Sequence, residues 1–140
     1  MAWQTPKTNW AVRYDGSGNY LGDYFEATDY QRIKGNILHL KEMGEATFSI
    51  IDLPDIPDVT VASYGFASYM NALERSLDVI KRATLDPGIP STKTWNGNAA
   101  APMYSDLNRI ESATLSFYNV FLGIKDTLVK LSFEMGGSEF

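Results

Sequence analysis

The 140 residues fit one domain, or a row of small repeats sharing one core, and 44% hydrophobic with 21% charged residues excludes a disordered chain. A formal charge of -5 with a pI near 4.7 repels a phosphate backbone, and no cluster of Lys and Arg offsets it, so nucleic acid is not expected as a partner. Without cysteine there are no disulfides, no thiolate catalysis and no cysteine-ligated zinc.

The opening Met-Ala-Trp-Gln-Thr-Pro-Lys-Thr-Asn-Trp10 lacks the charged and apolar regions of a secretory signal. No apolar run approaches the roughly 18–20 residues that span a bilayer. The expectation is a soluble chain with no membrane partner and no export address. Ala11–Leu21 alternates around a glycine-rich turn and predicts a short N-terminal β-hairpin. Within it Asp15-Gly-Ser-Gly-Asn19 spaces oxygen side chains as a calcium loop does. Tyr20 stands where that loop needs glycine, and no closing glutamate follows, so a hairpin turn is the better reading.

Three later segments share one register: Thr28-Asp-Tyr-Gln-Arg-Ile33, Ser68-Tyr-Met-Asn-Ala-Leu73 and Ser105-Asp-Leu-Asn-Arg-Ile110. Each opens on Ser or Thr, carries an amide three residues later (Gln31, Asn71, Asn108) and an aliphatic residue five later. Their openers are about 40 and then about 37 residues apart, a spacing that suits helical repeats. A Ser or Thr opener can cap the unpaired amides of a first turn, and Gln31 can complete a capping box. Asp29 and Asp106 sit where the helix dipole favours negative charge.

Apolar residues then recur in steps of three and four: Tyr30, Ile33, Ile37, Leu40; Met70, Leu73, Leu77, Ile80; and Leu107, Ile110, Phe117, Phe121, Ile124, Leu128, Leu131, with Thr114 filling a gap. Gly35 interrupts the first run at about 1 kcal/mol relative to alanine, while Gly44 and Asp86-Pro-Gly88 are expected to stop the first two helices. The predicted helices are about 28–43, 67–84 and 105–133. They form a mainly α three-helix bundle built from degenerate repeats, with extended connecting segments, in a single domain over 1–140. Thr47–Ile51 suggests a short strand ended by Pro54 and Pro57, and Thr92–Met103 an extended loop. The closing Gly137-Ser-Glu-Phe140 matches a common vector remnant.

The third helix carries a second apolar line, Leu115, Tyr118, Leu122 and Val129, facing away from Ile110 and Phe117. Either connecting segments cover it or another subunit does, and a homo-oligomer is expected. Trp3, Trp10 and Trp95 either pin extended segments onto the bundle or offer a stacking platform to a glycan. Arg32 and Arg109, at one place in the register, suit paired carboxylates or carbonyls through the planar guanidinium. The one histidine, His39, has no nucleophile or orienting partner beside it in the sequence, and Asp52, Asp55 and Asp58 read as a solvated acidic loop. No catalytic residue, metal site or cofactor is therefore expected; the chain is not read as an enzyme.

Thr5-Pro-Lys-Thr-Asn-Trp10 and Gly22–Asn36 together resemble small proteins, and modules of larger ones, from tail-gene clusters of phages and prophages of Gram-positive bacteria. The family pattern is roughly Pro-Lys-Thr-Asp-Trp followed by Asp-Tyr-Phe-Asn-Ala-Asp-Tyr-Asn-Arg-Ile. Thr92-Lys-Thr-Trp95 before Ser105-Asp-Leu-Asn-Arg-Ile-Glu111 repeats it, whereas Tyr69-Met-Asn-Ala-Leu-Glu74 is a degenerate copy without tryptophan. Here Asn9 stands for the aspartate, and Glu26 and Gln31 for asparagines. The resemblance touches about half the chain and implies a structural or connecting role in a tail, at the baseplate or fibre attachment. The implied place is the virion, assembled in the bacterial cytoplasm, with other tail or baseplate proteins as partners. The alternatives are a glycan-binding module for the host wall and a helical assembly factor absent from the mature particle. Trp10, Trp95, Arg32, Arg109, Leu115, Tyr118, Leu122 and Val129 are the candidate interface or anchoring residues.

Overall fold

The computed structural model describes residues 3–23, 25–58, 66–96 and 104–136, with side chains of the last helix described through Thr127. Three helices pack against one another: α1 (Ala27–Thr47), α2 (Phe66–Ala83) and α3 (Tyr104–Gly136). One buried cluster joins them. The stripe residues Ile33, Ile37, Leu40, Met70, Leu73, Ile80, Ile110 and Phe117 are all without exposure, so the three-and-four spacing marks the inward face of each helix. Thr114, the polar gap in the third stripe, is buried because its hydroxyl bonds back to the Glu111 carbonyl at 2.7 Å.

Several local expectations are corrected. Thr28, Ser68 and Ser105 lie inside their helices rather than capping them. The N-cap of α1 is Glu26, whose backbone amide is accepted by the Asp29 carboxylate at 2.9 Å in a capping box. Gly44 does not stop α1. It is buried within it, and an added Cβ would stand 2.7 Å from Ile51 Cδ1, so the glycine lets the returning chain approach the helix. Thr47 closes α1, and 48–58 bends at its start and then runs without helix or strand pairing. Its Ile51 and Ile56 enter the core, so packing on helices replaces the ladder a strand would need.

No named strand occurs among the described residues. In place of the expected hairpin ladder, Tyr14 and Tyr20 form one isolated antiparallel bridge. The Leu21 amide donates to the Arg13 carbonyl, and Gly18 turns the chain with φ 83. Asp15 accepts the Ser17 and Asn19 amides, which makes it a turn residue. The 92–96 stretch carries no helix or strand; the remainder of that loop, 97–103, and the terminal 137–140 lie outside the described residues.

Candidate functional site

Two tryptophan sockets

The densest chemistry lies where extended segments cross helices. Asn108 on α3 accepts the Trp10 backbone amide at 2.7 Å and returns its own NH2 to the Trp10 carbonyl at 3.1 Å. Asn71 on α2 treats Trp95 in the same way, at 2.7 and 2.8 Å. One primary amide thus satisfies both backbone groups of one residue, as a neighbouring strand would. The amides at Asn71 and Asn108 therefore clamp a passing chain; they do not cap helices. Gln31, at the same place in α1, is exposed, and that helix uses the buried Asn36 to clamp Gln4, at 2.8 Å in both directions.

Beneath each indole sits a glutamate. Glu111 is 0% exposed and Glu74 1%. The Trp10 Nε1–H donates to Glu111 Oε2 at 2.6 Å, and the Trp95 Nε1–H to Glu74 Oε2 at 2.8 Å. Each carboxylate also receives a two-pronged guanidinium: Arg32 on Glu111 at 2.8 and 2.8 Å, and Arg109 on Glu74 at 2.6 and 2.7 Å. Lys7 extends its backbone amide to Glu111 at 3.0 Å. A buried carboxylate is costly unless its lone pairs are used, and here they are. The bond to Glu111 holds the Arg32 guanidinium above its usual range, and Glu74 does the same for Arg109.

The outer face of each indole is also occupied. Lys7 lies 5.3 Å above Trp10 and bridges to Asp23; Lys93 lies 5.0 Å above Trp95 and bridges to Asp106. Trp10 is walled further by Phe25 and Tyr104.

Arg109→Lys keeps the charge but reaches only one carboxylate oxygen well, so it should cost about 1–3 kcal/mol. Chemical denaturation checks this; stability equal to the parent would leave the paired geometry without energetic weight.

Asp23 holds the segment before α1. It accepts the Ala11 amide at 2.8 Å, and this bond, ahead of the Lys7 charge, keeps its carboxyl below the usual carboxylate range. A depressed carboxyl contributes stability that is present above its ordinary pKa and lost as pH falls through its folded value. The protection of the Ala11 amide, its exchange relative to the intrinsic rate, should therefore fall as pH drops through the folded value, below the usual carboxylate range, which hydrogen exchange by NMR measures. Asp23→Asn should abolish this pH dependence of the protection.

The second apolar line of α3 divides. Leu115, Tyr118 and Leu122 are half-buried, and the Val129 side chain lies outside the described ones. Trp3 lies flat on Tyr118, with centroids 3.9 Å apart and planes at 3°, and His39 is tilted against both rings. The N-terminal segment thus covers Tyr118 from within the chain. Leu122 lines a groove of about 530 Å³ with His39, Glu42, Met43, Phe121 and Lys125.

Sequence reasoning placed Trp10, Trp95, Arg32 and Arg109 but missed Glu74 and Glu111. The available signal was a glutamate six residues after the opener in the second and third segments, on an otherwise apolar stripe, with Lys34 in the first. Among the described residues no three His, Asp or Glu side chains are grouped to hold a metal, and no helix is long and apolar enough to cross a membrane. No family model matches the chain, and neither a curated protein nor a solved structure gives a match.

Proposed function

We propose that this chain is a structural or connecting component of a phage-like tail, at the baseplate or fibre attachment, acting through protein–protein assembly and not as an enzyme. The observation that carries this is the use of its strongest chemistry. Both buried glutamates, both paired arginines and two tryptophans are spent fastening extended segments to helices. A general acid or nucleophile needs a polar group presented to a cleft; these face one another.

The two sockets are degenerate copies of one unit, an extended Lys-Thr…Trp strap followed by a helix bearing the arginine. Ala11–Leu21 is then a short hairpin inserted in the first copy. The middle copy has lost its tryptophan, and Pro54–Asp58 fills its place: Tyr30 donates to the Pro57 carbonyl at 2.6 Å and Lys34 pairs with Asp58. Pro6, Trp10, Arg32 and Ile33, on which the resemblance to tail modules rests, all lie in this unit. Its partners would be other tail proteins and further copies of itself, in a virion assembled in the bacterial cytoplasm.

A glycan module would need an open aromatic face. Trp3 is stacked on Tyr118, and Trp10 and Trp95 lie beneath lysines, which favours anchoring. Native mass measurement at assembly concentration, with binding to purified tails, tests the proposal. A discrete oligomer or tail binding is expected. A persistent monomer that binds wall glycan, or one that binds only immature intermediates, would turn the assignment to the glycan module or the assembly factor.

A further inference from the structure

The two straps differ in what they join. The Trp95 strap lies between α2, which precedes it in the chain, and α3, which follows: Asn71 and Glu74 come from α2, Arg109 from α3. The Trp10 strap is followed by α1. Its socket is borrowed from the far end of the sequence, with Asn108 and Glu111 on α3 and Arg32 on α1. In the order of the units, the first strap closes a ring that α3 of another copy would close with the same atoms.

We infer that the N-terminal strap, Trp3–Trp10, exchanges between two copies of this chain, each strap seating in the partner's Asn108–Glu111 socket. Two features of the molecule favour this occupant. The strap is held by side chains that read its backbone and its Trp10 indole, so any identical segment satisfies the socket: Asn36 on Gln4, Asn108 on Trp10, Glu111 on the indole and on the Lys7 amide. These bonds are the same in number and kind whether made within or between chains, which is what makes exchange thermodynamically cheap.

The tether is also suited to opening. Residues 11–23 fold back on themselves through the Leu21–Arg13 and Asp23–Ala11 backbone bonds, the Tyr14–Tyr20 bridge and the Asp23 carboxylate, and touch α3 where the Tyr20 and Tyr104 hydroxyls meet at 2.6 Å, while Val12, Tyr14 and Leu21 on this loop are exposed. Opened, roughly 15 residues reach about 50 Å, several times the 10–12 Å width of a helix, so the strap can cross to a neighbour. By sequence the connection from Trp95 to Ser105 is about eight residues shorter than that from Trp10 to Thr28. Reciprocal exchange gives a closed pair; one-way exchange gives a head-to-tail row from the same contact.

This inference rests on the assembly reading and is tested separately from it. The probe is a dye-labelled synthetic peptide of residues 1–12, titrated into the full-length Trp10→Ala chain, whose own strap no longer fills the indole site. Circular dichroism checks that the variant keeps its helices; Trp10→Phe, which keeps a ring but loses the N–H, serves if it does not. Saturable binding is expected, weakened at least tenfold when the peptide carries Trp10→Ala or when the chain also carries Asn108→Ala. Sedimentation of the parent chain should show a concentration-dependent dimer that the Trp10 variant forms at least tenfold less readily. Self-association of the parent without peptide binding, and undiminished in the Trp10 variant, overturns strap exchange and leaves assembly through another face. A parent that stays monomeric at every concentration overturns exchange whether or not the peptide binds. Tail binding by that monomer would still support the connecting role.

Discussion

Glu111→Ala should be among the most damaging single substitutions in this protein, costing about 3–5 kcal/mol, because it strips the two-pronged carboxylate from Arg32, which then keeps only Asp29 at 2.9 Å. The same change removes the acceptor of the Trp10 indole and of the Lys7 amide, so the strap loses its floor along with its ion pair. Glu111→Gln keeps the shape and some hydrogen bonding, and should fall between the parent and the alanine variant. Replacing the pair together, Arg32→Met with Glu111→Leu, removes the stranded charge and should recover part of the loss. Full recovery is not expected, since the two remaining donors still face an apolar side chain. A double-mutant cycle read by urea denaturation gives the coupling. Additive single effects would mean that the guanidinium and carboxylate are neighbours without being partners.

Trp10→Ala should cost a comparable amount, about 3–5 kcal/mol, on the scale of other buried aromatic deletions. The indole is 4% exposed and walled by Phe25, Tyr104 and the Lys7 stem, so its removal leaves a space the neighbours cannot close without moving a helix. Trp95 makes the same hydrogen bonds but is only half-buried, and its deletion removes less surface from contact. Trp95→Ala should therefore cost clearly less, even though the two sockets share their polar design. Urea midpoints at equal slope order the two variants. Equal losses would mean that the indole hydrogen bond, rather than the buried area, sets the energy of a strap.

The three-and-four spacing was enough to locate the three described helices and their inward faces. Ile33, Leu73 and Ile110 occupy one place in the register and are fully buried. That is a local property: a helix of fixed period must put such residues on one side, whatever it packs against. The arginines and tryptophans were also legible, as chemistry repeated at one place.

What the register could not supply was the partner across space. Asn108 is compatible with a capping role when read beside Ser105, and only the arrival of Trp10 from the opposite end of the chain makes it a clamp. Glu111, on an apolar stripe, becomes tolerable only once Arg32 and an indole from two other segments converge on it. Tyr118 is likewise part of an unpaired line until Trp3 covers it. Helical periodicity is written in the spacing of a single segment, whereas the satisfaction of a buried polar group depends on donors that only the folded path brings within about 3 Å.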